Sequence, residues 1–310
     1  MFICHFTGII NTNTYFSLRQ RRIEMSKIGL VVEGGGMKCA YSAGVLDGFI
    51  KDNITVDYCI GVSAGSANLC SFTAGQFGRS RRFYTDHIKE PMYFGFKSLL
   101  KTGNLFNLRY IYGDLSNEGG GDPIDYDKMM SNPVEFEVVA TNALTGEPAY
   151  FNKKDFQRNN YVQIMASSAI PAVSKPVFIA GIPYYDGGIS AAVPVKRAFE
   201  KGCDKIICLL SKSRNFFKNP EKNKLMYSLA CRRYPNAIKD MDNRHIMYKK
   251  CQDEMFEAEK AGKAFIFSLE TDLLISTYKM DPEVNQKLYE LGVNDYNTHK
   301  EELLRFMQAR

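Results

Sequence analysis

Closely spaced cysteine pairs are missing from this sequence, because its eight cysteines include no Cys-x-x-Cys. Zinc-binding proteins usually present cysteines in such pairs, so the sequence argues against a zinc site, and we expect no metal. Five of the cysteines lie within apolar or small-residue runs such as V-D-Y-C-I and K-I-I-C-L-L. This placement predicts buried, reduced thiols in a cytoplasmic protein.

Long apolar runs and dense basic runs are also missing. No stretch approaches the roughly 18 apolar residues that indicate a transmembrane helix. The formal net charge is only +6, and the basic clusters at 79–82 and 232–233 are short. This pattern excludes a typical nucleic-acid binder but permits weak attraction to an anionic membrane surface. We therefore predict a cytoplasmic protein with no nucleic-acid partner, for which peripheral membrane contact is allowed.

The composition is that of a globular protein, with 45% hydrophobic and 24% charged residues among 310. No internal repeat or low-complexity linker divides the chain, so we predict one domain from about residue 25 to residue 310. Residues 1–24 lack the positively charged start of a secretory signal. We interpret them as a disordered extension or the result of an upstream start, with the native domain beginning near Met25.

Strands and helices alternate along the chain. Residues 27–33 form a predicted strand followed by glycines and a helix over 37–51, and residues 56–61 form a second strand followed by a helix from 64 to about 75. This order predicts a three-layer α/β/α fold with a mostly parallel central sheet. Further strands are predicted at 136–141, 204–210 and 263–269, and further helices at 161–168, 194–201, 221–260 with a break at Pro235, and twice at the end of the chain. Residues 79–130 are predicted to be an insertion over the ligand edge of the sheet.

The second strand ends in a Gly-x-Ser-x-Gly motif, with Ser63 between Gly61 and Gly65. A strand enters the motif and a helix leaves it, which is the context of a nucleophile elbow. A serine that only caps a helix does not need glycine on both sides. We therefore predict that Ser63 is a nucleophile whose hydroxyl projects at the helix N-terminus.

The first strand ends in a glycine loop at a similar turn. Its residues are Gly34, Gly35, Gly36, Met37 and Lys38. Successive backbone N–H groups in such a loop can bind a phosphate or an oxyanion. The loop lacks the G-K-[ST] ending of a P-loop and the third glycine of a dinucleotide fingerprint. Because the nucleophile lies on the next strand, we predict that this loop forms an oxyanion hole.

The base that Ser63 needs is harder to identify. His5, His87, His245 and His299 are the four histidines. The first lies in the leader, the second in the basic insertion, and the other two among charged residues, so all are poor candidates. Asp186 follows an apolar stretch and precedes two glycines. By itself, this aspartate is better explained as a turn residue than as a base.

The elements G-G-G-M-K, G-V-S-A-G and D-G-G, in this order, resemble the patatin-like phospholipase family of bacterial type. Further stretches are similar to family segments: A-T-N-A-L-T-G-E-P at 140–148, A-S-S-A-I-P at 166–171, V-P-V-K-R-A at 193–198 and L-Y-E-L-G at 288–292. The resemblance covers nearly the whole chain from Met25 onwards.

This resemblance implies a Ser-Asp dyad without histidine, in which Ser63 is the nucleophile and Asp186 the base. Gly187 and Gly188 complete the motif of the base, and the amides around Gly35 and Gly36 are implied to hold the oxyanion. Burial can raise the pKa of a carboxyl group by several units, and the apolar stretch before Asp186 could supply that burial.

Two positions depart from the family pattern. Cys39 stands where the glycine loop usually ends in glycine, and Ala191 replaces a residue that is often acidic. Neither departure removes a catalytic atom, but Cys39 adds bulk beside the oxyanion loop. Lys38 matches a position that is usually basic.

Residues 91–112 are rich in Phe, Tyr and Leu, with basic residues spaced among them. Such a stretch is typical either of a core helix with a loop or of a lid that meets lipid. Both interpretations remain open from the sequence.

The sequence therefore predicts a lipid acyl hydrolase of the phospholipase A or esterase type, which needs no cofactor. It would cleave fatty-acyl ester bonds of a phospholipid or other acyl-ester lipid through an acyl-enzyme on Ser63. One alternative is a histidine-dependent α/β-hydrolase esterase, which would need His245 or His299. The other is a non-catalytic adaptor that uses the same fold to bind proteins.

Overall fold

The structure is a computed structural model that describes residues 26–270 and 280–309. The predictions for residues 1–24 lie outside the described residues. The strands are β1 (Ile28–Val32), β2 (Tyr58–Val62), β3 (Glu135–Asn142), β4 (Pro148–Asn152), β5 (Val177–Ile179), β6 (Ile182–Asp186), β7 (Lys205–Ser213) and β8 (Ala264–Leu269).

Ten α-helices are described between and after these strands. They are α1 (Ala40–Lys51), α2 (Ala64–Thr73), α3 (Arg79–Thr85), α4 (Phe96–Thr102), α5 (Tyr126–Ser131), α6 (Val162–Ser167), α7 (Val195–Glu200), α8 (Lys224–Ala230), α9 (Pro235–Lys260) and α10 (Pro282–Gln308). Short 3₁₀ turns at Gly36–Cys39 and Gly187–Ile189 matter for the site, because they follow β1 and β6.

The eight strands form one sheet in the order β5-β6-β3-β2-β1-β7-β8, with β4 paired to β3. Strands β3, β2, β1, β7 and β8 run parallel, and Gly29 of β1 lies opposite Tyr58 of β2 and Ile206 of β7. The carboxyl ends of β1 and β2 therefore meet at one edge of the sheet, which is where ligands bind in open α/β sheets.

Helices cover both faces of this sheet. Alternate residues of β1 point to opposite sides, so Leu30 and Val32 join the core under α1, α2 and α10. Val31 joins the core on the other side, under α7 and α9. This arrangement confirms the predicted three-layer α/β/α fold with a mostly parallel sheet.

Helices α1 and α10 pack with their backbones in contact. A Cβ atom at Gly292 would lie 2.0 Å from the carbonyl oxygen of Tyr41, and one at Gly44 would lie 2.1 Å from that of Tyr289. Three Tyr–Asp hydrogen bonds flank this contact, among them the one from the Tyr41 hydroxyl to Asp295 at 2.7 Å. The last described helix is thus an integral part of the fold.

The structure differs from the sequence-based expectation in the antiparallel part of the sheet. Strands β4, β5 and β6, which pair antiparallel, were not predicted. Strands β4 and β5 are only partly buried, and the buried strand β6 contains Pro183, which is unusual in a strand. The expected break of the helical region 221–260 at Pro235 is confirmed: the region forms α8 and α9, and Pro235 occupies the first turn of α9, where its missing N–H is harmless. Of the two helices expected after β8, α10 is found in residues 280–309, and residues 271–279 lie outside the described part.

Within residues 26–270 and 280–309, no helix has both the length and the apolar character needed to span a bilayer. The seven described cysteines are buried and none is joined to another.

Candidate active site

The turn between β2 and α2 holds Ser63 in an unusual backbone conformation. Its φ is 53° and its ψ is −130°, a left-handed region that L-residues rarely adopt. A Cβ at Gly61 would lie 2.7 Å from the backbone of Ser66, and one at Gly65 would lie 2.6 Å from the carbonyl oxygen of Glu33. The two glycines therefore let α2 approach the strands closely, and this close approach holds the strained serine in place.

The glycine loop after β1 touches this turn. A Cβ at Gly34 would lie 2.9 Å from Cβ of Ser63, so a side chain there would displace the serine. Gly36 has a φ of 56°, which favours glycine. No group of the described part of the chain accepts a hydrogen bond from the N–H of Gly35 or Gly36. These two donors are available to a ligand beside Ser63.

Asp186 ends β6, and its backbone pairs with Ala140 of β3. The carboxylate accepts a hydrogen bond from the N–H of Gly188 at 2.7 Å. A side chain at Gly187 would put Cβ 2.3 Å from the carbonyl oxygen of Val139, so this glycine lets the turn lie on β3. The D-G-G motif thus places the carboxylate at the same sheet edge as Ser63.

Ser63 and Asp186 meet in a closed environment, since they are only 6% and 3% exposed. Burial raises the pKa of Asp186, while the positive charge of Arg244 and hydrogen bonds from Ser63 and the Gly188 N–H act in the opposite direction. The raised pKa makes this carboxylate a better proton acceptor than a free aspartate. The pair can therefore activate a hydroxyl for acyl transfer.

Ser167 is a contact of the elbow that the sequence did not reveal. Its hydroxyl accepts a hydrogen bond from the N–H of Ser63 at 2.8 Å, and the side chain is fully buried. It lies in the A-S-S-A-I-P segment that resembles the family. In the sequence, only the resemblance of this segment to the family pointed to Ser167, and the resemblance assigned no role to it.

Charged residues of the later chain also reach the site. Arg244 of α9 donates from Nε to the carbonyl oxygen of Gly188 at 2.9 Å and from Nη1 to Glu221 at 3.1 Å. Glu33, at the end of β1, accepts hydrogen bonds from Lys212 and from the hydroxyl of Tyr248. None of these was a predicted site residue. A single charged residue among other charged residues has no local sequence pattern that would identify it as part of a site.

Two cavities open on Ser63. The first, about 270 Å³, is polar and is lined by the glycine loop, Lys38, Asp186 and the charged residues of the later chain. The second, about 60 Å³, is mostly apolar, and Met37 and Ser63 lie in its wall. Residues of α2, α3 and the insertion complete that wall, including Ala67, Phe83, Tyr93, Phe106, Ile111 and Tyr112.

Residues 91–112 include both buried and exposed apolar side chains. Tyr93 and Ile111 are buried in the core, and Phe94 is half-buried against the ring of Phe106 at a centroid distance of 4.7 Å. Phe96 and Leu100 of α4 are 72% and 73% exposed. The segment therefore walls the apolar cavity from one side and presents apolar side chains to solvent on the other.

The described histidines lie away from the dyad. His87 contacts Glu90 and Asp122, and His299 lies beside Glu302 on α10. His245 is next to Arg244 in sequence, yet it lines a separate surface groove with Phe217 and Lys218. None of the three borders the polar cavity, while His5 lies outside the described residues. The geometry thus disfavours the histidine-dependent alternative.

The two departures from the family pattern are both buried. Sγ of Cys39 lies 3.5 Å from the carbonyl oxygen of Glu33, and burial raises the pKa of its thiol. Ala191 packs in the core under α7 and α9. In the described ranges, no group of three or more His, Cys, Asp or Glu side chains is arranged to hold a metal ion.

A mostly parallel sheet with a strained serine and a buried aspartate at one edge defines an α/β protein with a serine–aspartate site. A family model described as patatin-like phospholipase matches residues 30–199, which is more than half of the chain. The chain therefore belongs to the patatin-like phospholipase family. Lipid acyl hydrolysis is the class of activity that this family supports.

A second family model, described as a domain of unknown function (DUF6363), matches residues 234–308. Among curated proteins, the chain is 29% identical to the uncharacterized protein YjjU of Escherichia coli strain K12 over 215 residues. That match covers 67% of this chain and 58% of the length of YjjU. The crystal structure of VipD from Legionella pneumophila is similar with a TM-score of 0.41 and 13% identity, over 89% of this chain and 67% of that one.

Proposed function

We propose that the protein is a serine hydrolase that cleaves fatty-acyl ester bonds of phospholipids or related lipids, of the phospholipase A or esterase type. The observation that carries the proposal is the pairing of Ser63, held at a φ of 53° on its elbow, with the buried carboxylate of Asp186. Ser63 lines both the polar and the apolar cavity, and Asp186 lines the polar one. An ester bound at Ser63 can direct its acyl side towards the apolar cavity and its polar alcohol towards the other.

In the proposed reaction, Oγ of Ser63 attacks the ester carbonyl carbon and its proton passes to Asp186. The N–H groups of Gly35 and Gly36 donate to the oxyanion that develops. The carbon–oxygen bond of the ester then breaks, and the leaving alcohol takes the proton from Asp186. Water attacks the acyl-enzyme, gives a proton to Asp186, and releases the fatty acid as Ser63 recovers its proton. The scheme uses no cofactor.

Exposed apolar side chains beside basic ones support the proposal that the enzyme works on a membrane surface. Leu225 and Leu229 of α8 are 85% and 64% exposed. Leu229 and Phe178 share a groove with Lys175, Arg232 and Arg233. Nζ of Lys175 donates to the carbonyl oxygen of Thr102, which connects this groove to α4. Apolar and basic residues together suit an anionic lipid interface, so we propose peripheral membrane contact for a cytoplasmic protein.

Labelling with a fluorophosphonate tests the nucleophile directly, because this probe reacts covalently with an activated serine. We expect mass spectrometry to find the label on the peptide that contains Ser63, and Ser63→Ala to abolish it. Ser131→Ala is the matched control, since Ser131 is exposed at the end of α5, lines neither cavity and should leave labelling intact. A folded protein that the probe does not label would instead favour the non-catalytic adaptor.

A further inference from the structure

The polar cavity beside the dyad has an excess of positive charge. Four cationic side chains and three carboxylates line it: Lys38, Lys212, Lys218, Arg244, Glu33, Glu221 and Asp186. Arg244 and Tyr248 come from the region matched by the family of unknown function, while Lys212, Lys218 and Glu221 come from the residues just before it. The patatin-like region alone therefore leaves this side of the cavity open.

The carboxylates of this cavity are already engaged. Glu33 accepts from Lys212, from the Tyr248 hydroxyl at 2.9 Å and from the N–H of Ser211 at 2.8 Å. Glu221 accepts from Lys218 at 2.8 Å and from Nη1 of Arg244. These bonds hold the two carboxylates in the wall and fix the directions of the cationic side chains.

Lys218 and Arg244 have N–H donors beyond those that bond to Glu221 and Gly188. An ammonium group has three N–H donors, and Lys218 uses one of them on Glu221. No acceptor for Nη2 of Arg244 is found in the described residues. Burial lowers the pKa of Lys218, and repulsion from Arg244 and Lys212 lowers it further, against the effect of Glu221. Positive charges that repel each other around a cavity are suited to an anion between them.

We propose that Lys218, Arg244 and Lys212 form a binding site for the phosphate group of the substrate's leaving alcohol. This inference rests on the proposed function, because it places the scissile ester at Ser63. Both cavities border Ser63, so when the acyl chain of the ester points towards the apolar cavity, its alcohol half points towards the polar one. A water molecule takes about 30 Å³ in the liquid, so a cavity of about 270 Å³ has room for a phosphate group.

This assignment gives the C-terminal region a role in specificity. Charge-assisted hydrogen bonds from Lys and Arg to a phosphate are strong, and each is lost with a neutral alcohol. The enzyme should therefore prefer glycerophospholipids with one or two acyl chains over acylglycerols of the same chain length. The phosphate could also be free in solution, and the experiment separates these two sources.

The test measures the ratio of kcat/KM for a short-chain lysophospholipid to that for the monoacylglycerol with the same acyl chain. Lys218→Met keeps the aliphatic stem but removes the charge, and we expect it to lower this ratio by about tenfold or more. Lys222→Met is the matched control, because Lys222 is exposed and does not line the cavity, and it should leave the ratio unchanged. An unchanged ratio in Lys218→Met would overturn the proposal.

Glu221→Gln separates a charge effect from a folding defect. It removes a negative charge from the same cavity, so it should raise the ratio, whereas a damaged fold would lower the rates for both substrates. Calorimetry with glycerol 3-phosphate gives a readout that does not depend on turnover, and we expect binding that Lys218→Met weakens. If the wild-type protein hydrolyses neither substrate but binds glycerol 3-phosphate, the proposed function fails and the anion site stands. Inorganic phosphate binding as tightly as glycerol 3-phosphate, without any substrate preference, would overturn the headgroup assignment.

Discussion

At the scale of a single residue, the burial of Asp186 has opposite effects on activity and on stability. A buried carboxylate is a better base, but its negative charge is held away from water at a cost in stability. The N–H of Gly188 and the charge of Arg244 reduce that cost without removing it, because the pKa of Asp186 stays raised. Activity and stability should therefore respond in opposite directions when this side chain is changed.

The dyad predicts a selective loss of activity. Ser63→Ala and Asp186→Asn should each reduce hydrolysis of a short acyl ester by at least about 10²-fold, because one removes the attacking oxygen and the other the proton acceptor. His245→Ala and His299→Ala should stay within about twofold of the wild type, since neither residue borders the site. Initial rates on proteins with matched circular dichroism spectra check this. Loss of activity in a histidine variant, with Asp186→Asn active, would support the histidine-dependent alternative.

The same aspartate predicts how stability depends on pH. Because its folded-state pKa is raised, Asp186 contributes stability that is complete below its unfolded pKa of about 3.9 and is lost as pH rises through the folded pKa. Asp186→Asn cannot ionise and escapes that loss. We expect this inactive variant to melt at a higher temperature than the wild type at pH 7, with a difference that shrinks towards pH 4.

Thermal melts across that pH range measure the difference. Asp253→Asn is the control, because Asp253 is exposed in a surface pair with Lys249 that contributes little to stability. The quantity compared is the melting temperature of Asp186→Asn minus that of the wild type. A smaller difference at pH 7 than at pH 4 would contradict the role of burial.

At the scale of elements, α4 and the residues just before it have different environments within the insertion. Phe94 is half-buried against Phe106, whereas Phe96, two residues later, is largely exposed. These neighbours make a matched pair of the same residue type. One reports on packing around the apolar cavity and the other on contact with a lipid surface.

Phe96→Ser should reduce hydrolysis of anionic vesicles several-fold while it leaves the melting temperature and the rate on a water-soluble ester unchanged. Only the vesicle assay needs interfacial contact. Phe94→Ser should lower the melting temperature instead, since truncating a buried phenylalanine costs about 3–5 kcal/mol and a half-buried one costs less. Equal loss on vesicles and soluble ester in Phe96→Ser, with no change in melting, would rule out a lipid-facing role for α4.

Sequence reasoning reached the elements that have a strong local pattern. Strand β1 is apolar throughout and ends in glycines, and the Ser63 elbow has glycines on both sides, so both were predictable. The polar cavity was not, because Arg244 reaches it only through the tertiary packing of α9 against the Gly187–Ile189 turn, and Lys218 reaches it from the loop between β7 and α8. A charged residue in a charged helix shows no local sign of facing a site.

At the scale of the whole molecule, the segments matched by two different family models form one packed unit. Helix α10, from the second segment, lies on α1, which directly follows the glycine loop of the first. Gly44 and Gly292 allow this approach, and any larger residue must push the helices apart. Stability of the C-terminal segment and geometry of the active site should therefore be coupled.

Gly292→Ala tests this coupling, because its Cβ would lie 2.0 Å from the carbonyl oxygen of Tyr41. We expect overpacking of about 1–3 kcal/mol or more, in spite of alanine's higher helix propensity, and a single melting transition that moves to lower temperature as a whole. Asn294→Ala is the control, since Asn294 is exposed on the same helix and the change should hold or raise the melting temperature. Calorimetry distinguishes the outcomes: a second, separate transition in Gly292→Ala would mean that α10 can leave while the sheet stays folded, and the C-terminal region would then be an appended unit that does not support the glycine loop.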